Sequence, residues 1–135
     1  MEHSIDIVIP AYQPGAVFEK LIYRLQKQTV KPERIIVVNT GEEYWEKAEF
    51  DKSPFVFGTL AGIRLELHHI AESEFDHGGT RRWAASRSQA EYVMFMTQDA
   101  MPADQYLIES LLKAMKQDPL IGAVYARQLP TADCG

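Results

Sequence analysis

The chain has 135 residues, of which 46% are hydrophobic and 24% charged, and its net charge is −5. This suits one globular domain with enough chain to bury a core, and it argues against a general nucleic-acid binder, whose affinity rests on basic surface. The single cysteine, Cys134, excludes an internal disulfide and a cysteine-built zinc cluster; with no 18-residue apolar run and no basic, apolar leader, the chain reads as cytoplasmic, without a transmembrane segment.

Ile5-Asp6-Ile7-Val8-Ile9 predicts a β-branched strand ended by Pro10. The loop Ala11–Gly15 follows, and Val17, Leu21, Ile22 and Leu25 recur at helical spacing to about Gln28. Arg34–Val38 predicts a second buried strand with the polar tip Asn39-Thr40-Gly41, which completes a β-α-β unit. Glu42–Phe50 is expected to hold a short helix and Lys52–Gly62 a loop. Ile63–Ile70 alternates partly and predicts a third strand. After the polar stretch Ala71–Gly79, a helix is expected from Thr80, as N-cap, to about Ala90.

The stretch Tyr92–Met96 is an unbroken apolar run that stops at Thr97-Gln98-Asp99. It predicts a central strand buried on both faces, followed by a crossover helix from about Pro102 to Gln117. A last strand is expected over Ile121–Ala126. The alternation gives an α/β fold with a mostly parallel sheet flanked by helices.

Neither GxGxxG nor GxxxxGK[ST] is present. What remains is a set of polar strand tips, and in a parallel sheet these gather on one edge, where ligands bind. Asp99 can supply a carboxylate oxygen to a hard divalent cation, or be a turn or helix-entry aspartate. The segment from Asp76 to Arg82 can bring backbone N–H groups and arginine charge to an anion, or be a tight loop with solvated arginines. Tyr12 can stack on a ring or simply pack, and His68 and His69 read as strand residues. Arg127-Gln128, at the end of the expected last strand, can meet a ligand or lie on the surface.

Val8-Ile9-Pro10-Ala11-Tyr12, Ile35–Asn39, Phe75-Asp76-His77-Gly78-Gly79-Thr80-Arg81 and Phe95-Met96-Thr97-Gln98-Asp99-Ala100 together resemble family 2 glycosyltransferases. The rhamnosyltransferase-like branch is the nearer likeness, through HGGTR, TQDA and Arg127-Gln128-Leu129-Pro130. The resemblance implies a GT-A, Rossmann-like nucleotide-binding half. It implies a nucleotide-diphosphate sugar donor, such as dTDP-rhamnose, a divalent cation (Mg or Mn), and a glycan or lipid-linked acceptor attacked with inversion. It places such an enzyme in the cytoplasm or at the periphery of the inner membrane.

Carried over residue by residue, the donor site would comprise Pro10, Ala11, Tyr12, Asn39, His77, Gly78, Gly79, Arg81, Gln98 and Asp99, with Asp99 as metal ligand. Asn39 and Thr97 stand where relatives often carry acids, and Arg82 where asparagine is common. The general base is expected beyond Gly135, so residues 1–135 are expected to be a donor-binding N-terminal part that is inactive alone. The alternatives are a non-catalytic nucleotide-binding module and a receiver-like module. The latter would need an acidic cluster where Pro10-Ala11-Tyr12-Gln13 stands.

Overall fold

The computed structural model describes residues 4–117. In chain order the elements are β1 (Ile5–Tyr12), α1 (Ala16–Leu25), β2 (Arg34–Thr40), α2 (Glu42–Lys47), α3 (Ser53–Phe57), β3 (Thr59–Leu60), β4 (Ile63–Ile70), α4 (His77–Ser86), β5 (Tyr92–Phe95) and α5 (Leu107–Gln117). The sheet order is β3-β4-β2-β1-β5. β4, β2, β1 and β5 run parallel, and β3 closes on β4 as a short antiparallel hairpin. The expected last strand over Ile121–Ala126, Arg127–Pro130 and Cys134 lie outside the described residues.

Alternation along the strands assigns the two faces. Ile5, Ile7, Ile9, Ile35, Val37 and Leu65 point to one face, where Phe18, Leu21, Ile22 and Leu25 of α1 and Ile108 and Leu112 of α5 cover them. Val8, Ile36 and Val38 point to the other, against Ala84 of α4. The chain is therefore helix, sheet, helix in three layers. The larger core extends into an aromatic group, in which Trp45 meets Phe50 and Phe55 edge-on with ring centroids 5.1 and 5.0 Å apart.

Several expectations are corrected. β1 does not end at Pro10 but continues to Tyr12, because its pairing with β2 needs no N–H from Pro10. Phe18, not Val17, fills the buried face of α1, and Val17 is exposed. The run Tyr92–Met96 is not buried on both faces and is not central among the described strands. Among the described residues β5 pairs only with β1, and Phe95 is 45% exposed. The hairpin strand β3 was read as loop; its turn puts Ala61 and Gly62 at positive φ.

The crossover helix starts at Leu107 rather than near Pro102. Residues 97–106 instead form a strap that leads away from the sheet edge. At its far end, Gln28 Nε2 donates to the Asp104 carbonyl (2.8 Å), and Gln28 Oε1 accepts the Ile108 N–H (3.0 Å). The Thr29 N–H donates to the Gln105 carbonyl at 2.8 Å. Buried Gln28 thus caps α5 from a distant point in sequence, satisfying a donor that the helix start leaves without a partner.

On the α4 face, Glu66 gathers two arginines and a histidine. It accepts from Arg34 Nη1 at 2.9 Å, lies 2.5 Å from His68 Nε2 and pairs with Arg87 Nε. Burial favours its neutral acid, but hydrogen bonds from His68 and Arg87 and the Arg87 charge outweigh this and hold the carboxyl below its usual range. A depressed folded pKa stabilises above the unfolded value, and the effect is lost as pH falls through the folded value. Glu66→Gln is therefore expected to cost about 1 kcal/mol at pH 7, since the groups are partly exposed. The difference should vanish as the pH is lowered below the carboxylate range, read from denaturant unfolding at both pH values.

Candidate functional site

The site begins with a missing hydrogen atom. In the parallel β1–β5 pair the Tyr92 N–H donates to the Ser4 carbonyl and the Met96 N–H to the Val8 carbonyl, each at 3.0 Å. Alternate residues of β1 therefore face β5, and Pro10 and Tyr12 are next in that series. Pro10 offers no N–H, and β5 ends opposite Val8. The strands separate there. The gap falls where the connections from β1 change direction, to β2 on one side and β5 on the other. Crevices at such switch points are the ligand sites of open α/β sheets.

The resulting cleft has a volume of about 500 Å³. It is lined by Pro10, Ala11, Tyr12 and Thr40 from the ends of β1 and β2, by Thr97 and Gln98 after β5, and by Glu72, Phe75 and Arg81. Tyr12 is tied down from three directions. Its N–H donates to Gln98 Oε1 and its carbonyl accepts from Gln98 Nε2, both at 2.8 Å. Its hydroxyl donates to Glu72 Oε1 at 3.3 Å and accepts from Gln13 Nε2 at 3.2 Å. Its ring meets Tyr44 edge-on at 5.6 Å. Desolvation and the nearby Glu72 carboxylate push the phenol above its usual range, so it remains a donor at neutral pH. Gln13, with φ of 47°, turns the chain sharply out of β1.

The segment read as a glycine loop is instead the first turn of α4, which starts at His77. The N-cap is Asp76, not Thr80. Its carboxylate accepts the Gly79 N–H at 3.0 Å, whereas Thr80 is buried inside the helix. A side chain at Gly79 would place Cβ 2.5 Å from Asp76 Oδ2, so the cap requires glycine there. Gly78 is exposed and Arg81 lines the cleft. One amide of this helix start is thus already taken by a carboxylate of the chain.

Asn39 is brought to the same sheet edge but has no exposed surface. Its Nδ2 donates to the Gly41 carbonyl (3.0 Å) and lies 3.1 Å from His69 Nδ1, while its Oδ1 has no hydrogen-bond partner. Gly41 covers it at φ 85°, and a Cβ there would meet the Tyr44 ring at 2.6 Å. Asp99 lies exposed in the turn closed by the Ala100 N–H on the Thr97 carbonyl (3.1 Å). It is a turn residue and not a helix entry, and it makes no hydrogen bond or ion pair with another described residue.

No group of three or more metal-ligating side chains occurs among the described residues. One open carboxylate beside a cleft fits a cation that a phosphorylated ligand brings with it, and does not fit a resident ion held by protein alone. Of the residues singled out from sequence, Pro10, Ala11, Tyr12, Arg81 and Gln98 share the cleft, with Asp99 one residue beyond it. Glu72 was not anticipated. It lies in a polar stretch with no periodicity, and only the course of the chain after β4, past the end of β2, brings it to Tyr12.

An open, mostly parallel sheet with a cleft at its switch point defines a Rossmann-like type of α/β domain. Residues 6–134 match glycosyl transferase family 2, and the chain belongs to that family. It is 33% identical over 131 residues to the O-antigen chain rhamnosyltransferase RfbN of Salmonella typhimurium, and 31% identical over 132 residues to the O-antigen chain rhamnosyltransferase WbaN of Salmonella anatum. Each match covers 96% of this chain and 38% of the relative's length. Among solved structures, Staphylococcus aureus TarS 1-349 aligns with a TM-score of 0.64 at 16% identity, covering 96% of this chain and 39% of TarS 1-349. TarS 1-349 in complex with UDP-GlcNAc gives 0.59 at 15%, covering 96% and 37%. At these identities the likeness shows the fold, which is the expected GT-A arrangement.

The Asp76 cap makes a prediction about context. Gly79→Ala relieves the backbone freedom of glycine, which favours the helix by roughly 0.5–1 kcal/mol, but it expels the cap, which costs about 1 kcal/mol. The change is expected to be neutral or destabilising in the parent and stabilising in an Asp76→Ala background, as measured by a double-mutant cycle of unfolding free energies.

Proposed function

We propose that the chain is the donor-binding part of a glycosyltransferase that moves a sugar, rhamnose by analogy with RfbN and WbaN, from a nucleoside diphosphate to a glycan or lipid-linked acceptor. The observation that carries this reading is the cleft at the switch point, which is lined by both an aromatic ring and an arginine. Tyr12 offers a ring that is 44% exposed for a base to lie on, and Arg81 offers a fork of donors to phosphate oxygens. The TarS complexes with UDP-GlcNAc and with UDP support a nucleotide-sugar as the class of ligand. Asn39 Oδ1, buried without a partner, is an acceptor that a base N–H can satisfy once the Gly41 turn moves aside. His77, Gly78 and Gly79 begin the helix whose positive end faces the diphosphate, with the Gly79 amide shared with Asp76.

In the proposed reaction an acceptor hydroxyl oxygen bonds to the anomeric carbon while the bond from that carbon to the diphosphate oxygen breaks, with inversion. The hydroxyl proton passes to a carboxylate base, and the nucleoside diphosphate leaves. A divalent cation, magnesium or manganese, held by Asp99 together with the phosphates, would supply charge neutralisation of the leaving group. Arg81, which lines the same cleft, serves the same end, and Tyr12 holds the nucleoside end in place. A receiver-like module is disfavoured because the β1 tip reads Pro10-Ala11-Tyr12 and carries no acid.

Calorimetric titration with UDP or dTDP, with and without manganese, tests the reading; absence of any binding under both conditions overturns it. Asp99→Asn keeps the shape and removes the charge, so it is expected to abolish the gain in nucleotide affinity that manganese gives while leaving the fold intact. Unchanged enhancement would make Asp99 a turn residue only. Arg81→Ala is expected to weaken nucleotide binding by about 1–3 kcal/mol, more at low salt than at high salt, because the charge is partly exposed. Residues 1–135 are expected to bind donor without turning it over, as checked by release of nucleoside diphosphate in the presence of acceptor glycan.

A further inference from the structure

We propose that Gln98 is a positioning residue that couples the nucleoside half of the donor site to its metal–diphosphate half, a role that rests on the donor reading above. The Gln98 carboxamide makes the same pair of hydrogen bonds to Tyr12 that the backbone of a neighbouring strand would make. Its Oε1 takes the Tyr12 N–H and its Nε2 gives a hydrogen to the Tyr12 carbonyl, both at 2.8 Å. The pair stands two residues beyond Pro10, in the series of β1 positions that face β5. Strand pairing has failed at the proline, and a side chain restores it one step further on. Both ends of the Gln98 carboxamide are engaged in this contact, so the bonds it makes hold protein.

What the contact joins gives it its meaning. On one side is Tyr12, whose ring lines the cleft. On the other is the turn Thr97–Ala100, which carries the exposed Asp99 next to Gln98. The far end of that strap is fixed by Gln28 and Thr29, which hold Asp104, Gln105 and the start of α5. Without the Gln98 pair, no hydrogen bond among the described residues would tie the turn 97–100 to the Tyr12 end of β1. Asp99 and Tyr12 would then adjust independently. With the pair in place, a nucleoside seated on Tyr12 fixes the position of the carboxylate that meets the cation, and the converse holds by linkage.

The test is the ratio of UDP dissociation constants without and with manganese, measured by calorimetry for the parent, Gln98→Leu and Gln98→Glu, and repeated with dTDP. The ratio is expected to fall at least tenfold toward one in Gln98→Leu. It should take an intermediate value in Gln98→Glu, which keeps an acceptor for the Tyr12 N–H and loses the donor to the Tyr12 carbonyl. A purely structural role would weaken binding equally in both conditions and leave the ratio unchanged, which would overturn the proposal. Hydrogen exchange at the Tyr12 amide supplies a second reading, expected to be at least tenfold faster in Gln98→Leu while core amides such as that of Ile36 keep their protection. Equal exchange would also overturn it. If Gln98→Leu does not fold, the same two outcomes are read from Gln98→Glu. A parent that binds neither nucleotide defeats the donor reading and the coupling with it, whereas a parent that binds and a variant with an unchanged ratio defeat the coupling alone.

Discussion

The structure depends on β1 being hydrogen-bonded on both edges and then losing one donor at Pro10. Toward β2 the strand pairs without interruption from Asp6 to Tyr12. Toward β5 the ladder stops opposite Val8. A single imino acid therefore leaves the buried half of the strand fully paired, as a strand with no exposed edge requires, while opening a cleft at its end. Had position 10 carried an N–H, continued pairing could have carried β5 across the space that Tyr12 and Gln98 now frame. Proline at this point is what separates scaffold from site.

The scaffold was legible because its signals are local. Runs such as Ile35–Val38 and the helical spacing of Leu21, Ile22 and Leu25 report burial directly, and those elements stand where they were expected. Two of the misreadings, at β5 and at the start of α5, depend on a partner distant in sequence. Tyr92–Met96 has the composition of an interior strand, yet strand order cannot be derived from composition, and β5 lies at the edge of the described sheet. The start of α5 is set by Gln28, some eighty residues earlier, so Pro102 was a poor guide. At α4, Thr80 and Asp76 are both good caps, and the choice fell to the one with a glycine three residues later to receive it.

The site was legible as a set of tips and less so as a set of contacts. Pro10, Tyr12, Arg81 and Gln98 were placed together by the parallel topology alone. That Gln98 faces the Tyr12 backbone, and that Asn39 is buried with its amide bonded to the Gly41 carbonyl, followed from side-chain geometry that no spacing rule carries. The charge balance has a similar lesson. A chain with net charge −5 still brings Arg81 into its cleft, while Arg34 and Arg87 are occupied with Glu66 on the α4 face. Suitability for an anionic ligand is a matter of where a few cations stand, and the sum over the chain does not report it.

The aromatic group beneath α2 has an optical consequence. The chain holds two tryptophans in opposite surroundings: Trp45 is 5% exposed among Phe18, Phe50 and Phe55, and Trp83 is 43% exposed beside Arg87. Their emission will differ in colour, the dry indole to the blue and the wet one to the red. Trp45 also touches the His69 ring, with centroids 5.8 Å apart, and His69 is the neighbour of Asn39 at the tip of β2. The protein thus carries an intrinsic fluorophore one side chain away from a buried polar atom that has no partner, and the blue component of its spectrum reports on that edge of the sheet without any added label.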